Sequence, residues 1–259
     1  MPRTPVPPAL TYASRMSIRI HFEGMTLAAG QTIRLPEAAF RHLVQVLRLK
    51  PGERFVAFDG RGGEYEAELT AVARRDAEAR LLAFIDADRE SPLDLTLAQC
   101  VSKGERMDYT LQKAVELGVT RIVPLLSSRS VVRLDAERTD KKLEHWRGIV
   151  ASACEQSGRT RLPAVAEIVA LPTWLDDESA PGTRLTLDPQ GHHSLHQLPQ
   201  PNGPVTLLVG PEGGLSDHEL DRARAAGFTG IRMGPRVLRT ETAGVAALAA
   251  LQALWGDWR

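Results

Sequence analysis

The stretch Val205–Ala243 reads VTLLVGPEGGLSDHELDRARAAGFTGIRMGPRVLRTETA, and its reading decides the fold. Two short apolar runs, Val205–Val209 and Ile231–Met233, each lead into a glycine-containing loop that a helical pattern follows. The first loop is Gly210-Pro211-Glu212-Gly213-Gly214, and the second is Gly234-Pro235-Arg236-Val237-Leu238-Arg239-Thr240-Glu241. In an open α/β sheet, ligands sit where loops leave the carboxyl ends of strands. Glycine there lets a ligand approach the backbone, because no side chain stands in the way. The expectation is that the two runs are neighbouring strands whose loops line one pocket. Ser216, with Glu219 three residues on, carries the capping-box signature of a helix start between them.

The first loop is not a P-loop, since it has neither the Gly-Lys-Ser/Thr ending nor its lysine, and it is not the G-x-G-x-x-G dinucleotide fingerprint. Alone it reads as a strand-to-helix turn. The case for function rests on the second loop. Thr240 can cap the helix that follows, and Glu241 suits its positive end. Arg239 gains nothing from a helix N-terminus, so it is expected to face an acidic or polar ligand. The helix itself, from about Thr240 to Trp255, is nearly all Ala, Val and Leu. Such a helix is buried on several sides or packs against a second subunit.

Working outward, the alternation of apolar runs and helical patterns after Leu93 predicts a parallel sheet with helices on both faces. The expected strands are Leu95–Cys100, Arg121–Leu126, Leu185–Leu187 and the two runs above. The expected helices are Arg106–Leu117, stopped by Gly118, and Asp135–Gln156, with Leu143, Trp146, Ile149, Val150 and Ala153 inward. Lys103-Gly104-Glu105-Arg106 lies at a strand end. Its basic residues, with Lys113 further on, either meet phosphates or form a solvated helix start. Gln156 and Arg159, at the end of the long helix, are candidates for polar contacts.

The N-terminal part differs. Ser17–Phe22, Gln31–Leu35, Glu53–Phe58, Glu64–Thr70 and Ala79–Ala87 read as strands, with a hairpin turn at Asp59–Gly63. One helix opens at Pro36, with Ala39, Phe40, Leu43, Val44 and Leu47 at the helical period. Residues 17–88 are thus expected to form a small β module, and 93–259 the α/β domain. The polar stretch Asp88-Arg89-Glu90-Ser91-Pro92 is the linker candidate. Residues 1–16, rich in Pro, are expected to be a disordered tail, with Met16 an alternative start. They lack the apolar run of a signal peptide.

The 259 residues carry 32 Lys+Arg against 32 Asp+Glu. Zero formal net charge offers no general argument for a polyanionic partner, so a nucleic-acid binder would need its basic residues segregated onto one face. The two cysteines, Cys100 and Cys154, are too few for a disulfide framework, which favours a reducing cytoplasm. Cys154 reads as a buried small hydrophobe. No apolar run reaches the length of a membrane span. His192, His193 and His196 invite a metal reading, but no carboxylate or cysteine completes a ligand set, so no metal is expected.

The chain resembles the bacterial 16S ribosomal RNA uridine N3-methyltransferases of the RsmE type, within the SPOUT superfamily of knotted methyltransferases. The resemblance runs from about Ile18 to Trp258. It is carried by His42–Arg48, Phe58-Asp59-Gly60, Lys103–Met107, Gln112–Gly118, Ala153–Arg159, Gly210–Leu215 and Gly234–Thr242, in that order. It implies a PUA-like β-barrel for RNA, a C-terminal α/β domain tied in a trefoil knot, and a homodimer through the knot helices. It also implies S-adenosylmethionine bent in the knot, held by Leu187, by Val209, Gly210, Pro211, Glu212 and Gly213, and by Met233, Gly234, Val237, Leu238, Arg239 and Thr240. The implied partner is 16S RNA, in the small ribosomal subunit. A knotted enzyme acting on another RNA, a non-catalytic RNA-binding protein of the same fold and, more weakly, a phosphate-binding metabolic enzyme are the alternatives.

The implied reaction sets its own demands. Loss of the uracil N3 proton puts charge on O2 and O4, which a guanidinium stabilises as an oxyanion hole does. Arg239 is the candidate, with Arg236 or a partner subunit's copy of Arg159 assisting. Glu241 is either the base or a group that favours the helix terminus. Glu212 would suit the positive sulfonium or cap its loop. The base must be unpaired or flipped, since pairing blocks N3. Arg41, Arg48, Lys103, Arg106, Lys113 and Arg159 are the candidates for RNA contacts.

Overall fold

The computed structural model describes residues 18–130, 136–177 and 181–258. The expected tail, residues 1–16, lies outside them. The chain divides into two compact units, one running to Asp59 and over Gly63–Asp86, the other comprising Gly60–Gly62 and Ala87 onward.

The first unit holds β1 (Arg19–His21), β2 (Thr32–Arg34), β3 (Arg54–Phe58), β4 (Glu64–Val72) and β5 (Ala77–Ile85) in the order β1-β3-β4-β5-β2. Every pairing is antiparallel except β1 with β3. Alternation along β4 and β5 sends Ala67, Leu69, Ala79 and Leu81 into a core with Phe22, Leu43 and Phe55. This is the period-two signature of a sheet with one buried face. Helix α1 (Glu37–Phe40) passes directly into a π-helical segment, Arg41–Val46, in which Leu47 N–H bonds to the His42 carbonyl at 2.9 Å. The wider turn corrects the expected helical face: Leu43 is fully buried, whereas Leu47 is 40% exposed. Arg48 follows in the left-handed region at φ 58°.

The second unit is built on β6 (Leu95–Cys100), β7 (Arg121–Leu126), the short β8 (Ala164–Val165) and β9 (Val169–Ala170), β10 (Thr183–Leu187), β11 (Val205–Val209) and β12 (Thr229–Ile231). The order is β12-β10-β11-β6-β7-β8, with β9 also on β7, and all pairings are parallel. Strand β11 is buried at every position, as expected of a parallel strand covered on both faces. Helix α2 (Glu105–Glu116) contacts α3 (Ala136–Ser157) and α6 (Thr240–Trp255). Helices α4 (Leu171–Asp177) and α5 (Asp217–Ala225) contact each other and share a core with Cys100, Leu125 and Leu208.

Three expectations about this unit need correction. The runs Val205–Val209 and Ile231–Met233 are not neighbours, because β10 pairs with both β11 and β12 and lies between them. Strand β12 ends at Ile231, leaving Met233 in the loop. The stretch 88–92 is not a free linker: Glu90 accepts from Arg159, and Ser91 Oγ donates to Gln252 Oε1 at 2.9 Å. Helix α6 is anchored there through Gln252, whose Nε2 donates to the Leu117 carbonyl at 2.7 Å. Gly118 follows at φ 81°, and a Cβ on it would stand 2.7 Å from that amide nitrogen, so the close approach of α6 requires glycine.

Candidate active site

Strands β10, β11 and β12 end at one cavity of about 660 Å³. Leu187, at the end of β10, lines it. So do Val209–Gly214 from the end of β11, and Ile231–Leu238 with Thr240 from the second loop. The separation of β11 from β12 thus does not separate their loops, because the intervening strand ends at the same cavity with Leu187. Most of the expected cofactor residues lie here together: Leu187, Val209, Gly210, Pro211, Glu212, Gly213, Met233, Gly234, Val237, Leu238 and Thr240. Arg236 lines it too and is exposed. Arg239 is absent from the lining; it stands exposed at the N-cap of α6.

The first loop is tightly drawn. A Cβ on Gly210 would lie 3.0 Å from the backbone nitrogen of Leu215, so a side chain there would push against the returning loop. Ser216 caps α5 through the expected capping box: its Oγ accepts from Glu219 N–H, and Glu219 accepts from Ser216 N–H at 2.8 Å. Glu219 is 3% exposed, and its other oxygen accepts from Ser128 N–H at 2.7 Å. Burial opposes its ionisation, but the hydrogen bonds from Ser128 and Ser216 prevail, and the carboxyl stays below its ordinary range. Arg129 completes this brace, donating to the Gly213 carbonyl at 2.9 Å. Sequence reasoning missed Arg129, although it follows the carboxyl end of β7, where the same strand-end rule would have looked for it.

Glu212 is occupied by its own unit. Its Oε1 accepts from Lys103 N–H at 2.9 Å and from Arg106 Nη1 at 3.0 Å. Burial pushes its pKa up, but bonds from the Lys103 and Glu212 amides and from the Arg106 guanidinium hold the carboxyl below the usual carboxylate range. Arg106 Nε also lies 3.9 Å from Glu241 Oε1. Arg106 thereby bridges acids from both loops. Glu241 Oε2 is buried with no hydrogen-bond partner among the described residues, and Glu241 does not line the cavity.

Behind the cavity, Thr240 Oγ1 donates to the Gly210 carbonyl at 2.6 Å. The hydroxyl joins the end of β11 to the start of α6, which is how two loops distant in sequence become one wall.

The expected RNA-contact residues divide. Arg41 is exposed and pairs with Glu37 at 2.8 Å, and Arg48 is exposed after the π-helical segment. Lys103 is exposed, whereas Lys113 pairs with Glu116 at 2.7 Å. Arg159 is corrected. It is 4% exposed, donates to the Val115 and Val119 carbonyls at 3.0 and 2.8 Å, and pairs with Glu90. A guanidinium so enclosed braces the second unit from within rather than standing on its surface. Cys100 and Cys154 are both buried and neither forms a disulfide; burial pushes Cys100 up to about 12, which makes its thiol a poor nucleophile. His193 joins the strand end, its carbonyl accepting from Arg232 N–H at 2.8 Å. Among the described residues no group of three His, Cys, Asp or Glu could hold a metal ion, and no helix is long and apolar enough to cross a membrane.

Two family models match the chain: an RNA methyltransferase domain over residues 89–252 and an RNA methyltransferase PUA domain over residues 35–82. The class is therefore that of the RNA methyltransferases, with a PUA domain ahead of the catalytic one. The ribosomal RNA small subunit methyltransferase E of Buchnera aphidicola from Schizaphis graminum is 34% identical over 89% of this chain and 94% of its own. That of Synechocystis is 36% identical over 86% of this chain and 73% of its own. The chain belongs to this methyltransferase E family. Among solved structures, the Neisseria gonorrhoeae enzyme bound to S-adenosyl methionine superposes with a TM-score of 0.87 at 43% identity, covering 94% of this chain and 100% of that one. A Legionella pneumophila methyltransferase in complex with the same cofactor gives 0.89 at 39% identity, covering 93% and 99%.

Proposed function

We propose that this chain transfers a methyl group from S-adenosylmethionine to N3 of a uridine in the decoding region of 16S ribosomal RNA, acting on the assembled small subunit. The observation that carries the reading is the cavity formed by two glycine loops at the carboxyl ends of β10, β11 and β12. Its volume of about 660 Å³ falls in the usual range for small-molecule sites. Leu187, Val209, Ile231 and Leu238 give it an apolar side for a flat base, and the glycine loops bring backbone polar groups to its edge. Glu212, kept ionised by Lys103 and Arg106, places negative charge at the rim, where a cationic cofactor is favoured. The residues fit S-adenosylmethionine, which supplies an electrophilic methyl group when bound.

Arg239 stands exposed at the start of α6, next to the cavity wall made by Leu238 and Thr240. There it stabilises the charge that develops on uracil O2 and O4 as N3 loses its proton. Arg236, exposed on the same loop, assists by holding the RNA backbone or the base. Glu241, set against Arg106 and away from the cavity lining, serves the helix terminus and the ion-pair bridge rather than acting as base. Arg41 and Arg48, in the PUA unit, contact RNA phosphates.

The second unit is a trefoil knot, supported by the path of the chain: after edge strand β12 it returns to the end of β11, where Thr240 bonds Gly210, and α6 then packs along α2. Helix α6 buries Gly244, Ala247, Leu248 and Leu251, and leaves Val245, Ala246, Ala249 and Ala250 only half-buried. That second apolar face supports a homodimer through α6. The enzyme works in the cytoplasm, where the small subunit is found.

Incubation with small ribosomal subunits that lack the modification, followed by mass spectrometry of the RNA, tests the reading. One methyluridine at N3 in the decoding region is expected. A methyl group on another base or another RNA overturns the target, and no transfer together with no cofactor binding overturns the activity.

A further inference from the structure

Gln99 is a polar residue where the fold gives no local reason for one. It lies on β6, opposite Val209 of β11, and is fully buried. Its Nε2 donates to the Cys100 carbonyl at 3.0 Å and to Thr240 Oγ1 at 3.1 Å. Its Oε1 has no hydrogen-bond partner among the described residues and faces α6, where a Cβ on Gly244 would come within 3.4 Å. The reverse orientation of the amide would set its oxygen against the Cys100 carbonyl, so the nitrogen must face that way.

A buried acceptor without a partner is destabilising, and an apolar side chain of similar volume would avoid it. The compensating gain lies in what the amide does to Thr240. A threonine hydroxyl has one proton. With Gln99 donating to its oxygen, that proton is directed to the Gly210 carbonyl, 2.6 Å away. Gly210 and Thr240 both line the cavity, one from each loop, and Gln99 does not.

We propose that Gln99 is a positioning residue for the cofactor cavity: its buried amide orients the Thr240 hydroxyl onto the Gly210 carbonyl and so sets the spacing of the two loops. The inference rests on the cavity's being the S-adenosylmethionine site.

The test uses the full-length protein as wild type, Gln99→Leu, Gln99→Met, Thr240→Val and the Gln99→Leu/Thr240→Val double variant. S-adenosylhomocysteine affinity is read by calorimetry, and thermal unfolding is followed without ligand. Either Gln99 variant is expected to weaken binding about fivefold to tenfold, as for one neutral hydrogen bond. The unfolding midpoint stays within a few degrees, because the orphaned acceptor is removed together with the bond. The double variant binds no more weakly than Thr240→Val alone, since both changes break one chain of bonds. In turnover the loss appears in KM for S-adenosylmethionine and leaves KM for the ribosomal subunit in place.

Unchanged affinity in Gln99→Leu and Gln99→Met overturns the proposal. Losses that multiply in the double variant overturn it too, as does weaker binding that tracks a fall in the unfolding midpoint. Absence of binding by the wild-type protein instead overturns the assignment of the cavity itself, and the two failures are told apart by that control.

Discussion

Arg129 donates from Nη1 to the Gly213 carbonyl at 2.9 Å and so ties the chain leaving β7 to the loop leaving β11. It also reaches the Leu215 carbonyl at 3.3 Å. A guanidinium spanning two carbonyls of one glycine loop restricts a segment that has few side chains of its own to hold it. Arg129→Ala should free the loop and weaken S-adenosylhomocysteine binding about tenfold, the scale of a hydrogen bond to a charged donor near the surface. Arg129→Lys should recover only part of the loss, because the shorter lysine side chain does not carry its ammonium as far as Nη1, the nitrogen that makes both bonds. Calorimetric titration of the three proteins checks this, and equal affinities would remove Arg129 from the site.

Arg239 and Glu241 lie two residues apart at the start of α6 yet are assigned different tasks. Arg239→Ala should lower kcat about 100-fold or more while leaving cofactor affinity nearly unchanged, as expected for a donor that meets charge only in the transition state. Glu241→Gln keeps the shape and removes a charge lying 3.9 Å from Arg106. It should lower kcat far less than Arg239→Ala. A loss in Glu241→Gln as large as in Arg239→Ala would instead mark Glu241 as the proton acceptor. Single-turnover transfer to small subunits at saturating cofactor separates the outcomes.

The acid side of the stability profile follows from Glu212 and Glu219. Both carboxyls sit below the ordinary glutamate value of 4.5 in the folded protein. In that range the unfolded chain binds more protons than the folded one, so stability rises with pH. Their contribution is complete above the unfolded value and is lost as pH falls through the folded values. Glu219→Gln should therefore flatten the fall of the thermal midpoint below about pH 4.5, and the first loop should lose its cofactor affinity over the same interval. A wild-type midpoint independent of pH across that interval would contradict the assignment.

Much of this arrangement was legible in the sequence, and the part that was not has a physical cause. Arg121–Leu126, Val205–Val209 and Thr240–Trp255 occur with the expected bounds, because each is a strong apolar pattern ended by a loop signal. Ser216 and Glu219 announced α5 through local chemistry alone. The position of β10 between β11 and β12 was hidden, since pairing order depends on contacts far apart in the chain. The π-helical turn at Arg41–Val46 was hidden too, because an apolar spacing that fits a regular helix does not reveal a turn opened by one residue. The two loops were recognisable as a site, but the residues behind them were not. Gln99 and Arg129 act through hydrogen bonds to Thr240 and Gly213, and no motif spacing encodes such a partner.

Arg159 shows how a plausible surface cation becomes a structural one. Its guanidinium is 5% exposed and Glu90 is 12% exposed, and the pair is completed by the Val115 and Val119 carbonyls. Removing one partner of a buried pair leaves the other charged and enclosed, which costs about 3–5 kcal/mol. Arg159→Leu should therefore lower the unfolding midpoint by about 10 °C, while the fraction that remains folded binds S-adenosylhomocysteine normally. The double variant Arg159→Leu/Glu90→Leu should recover part of the stability, because no charge is then left buried. Scanning calorimetry with a parallel subunit-binding measurement distinguishes this from a role in RNA recognition. In that case Arg159→Leu would weaken binding to the subunit at an unchanged midpoint, and the Glu90 change would restore nothing.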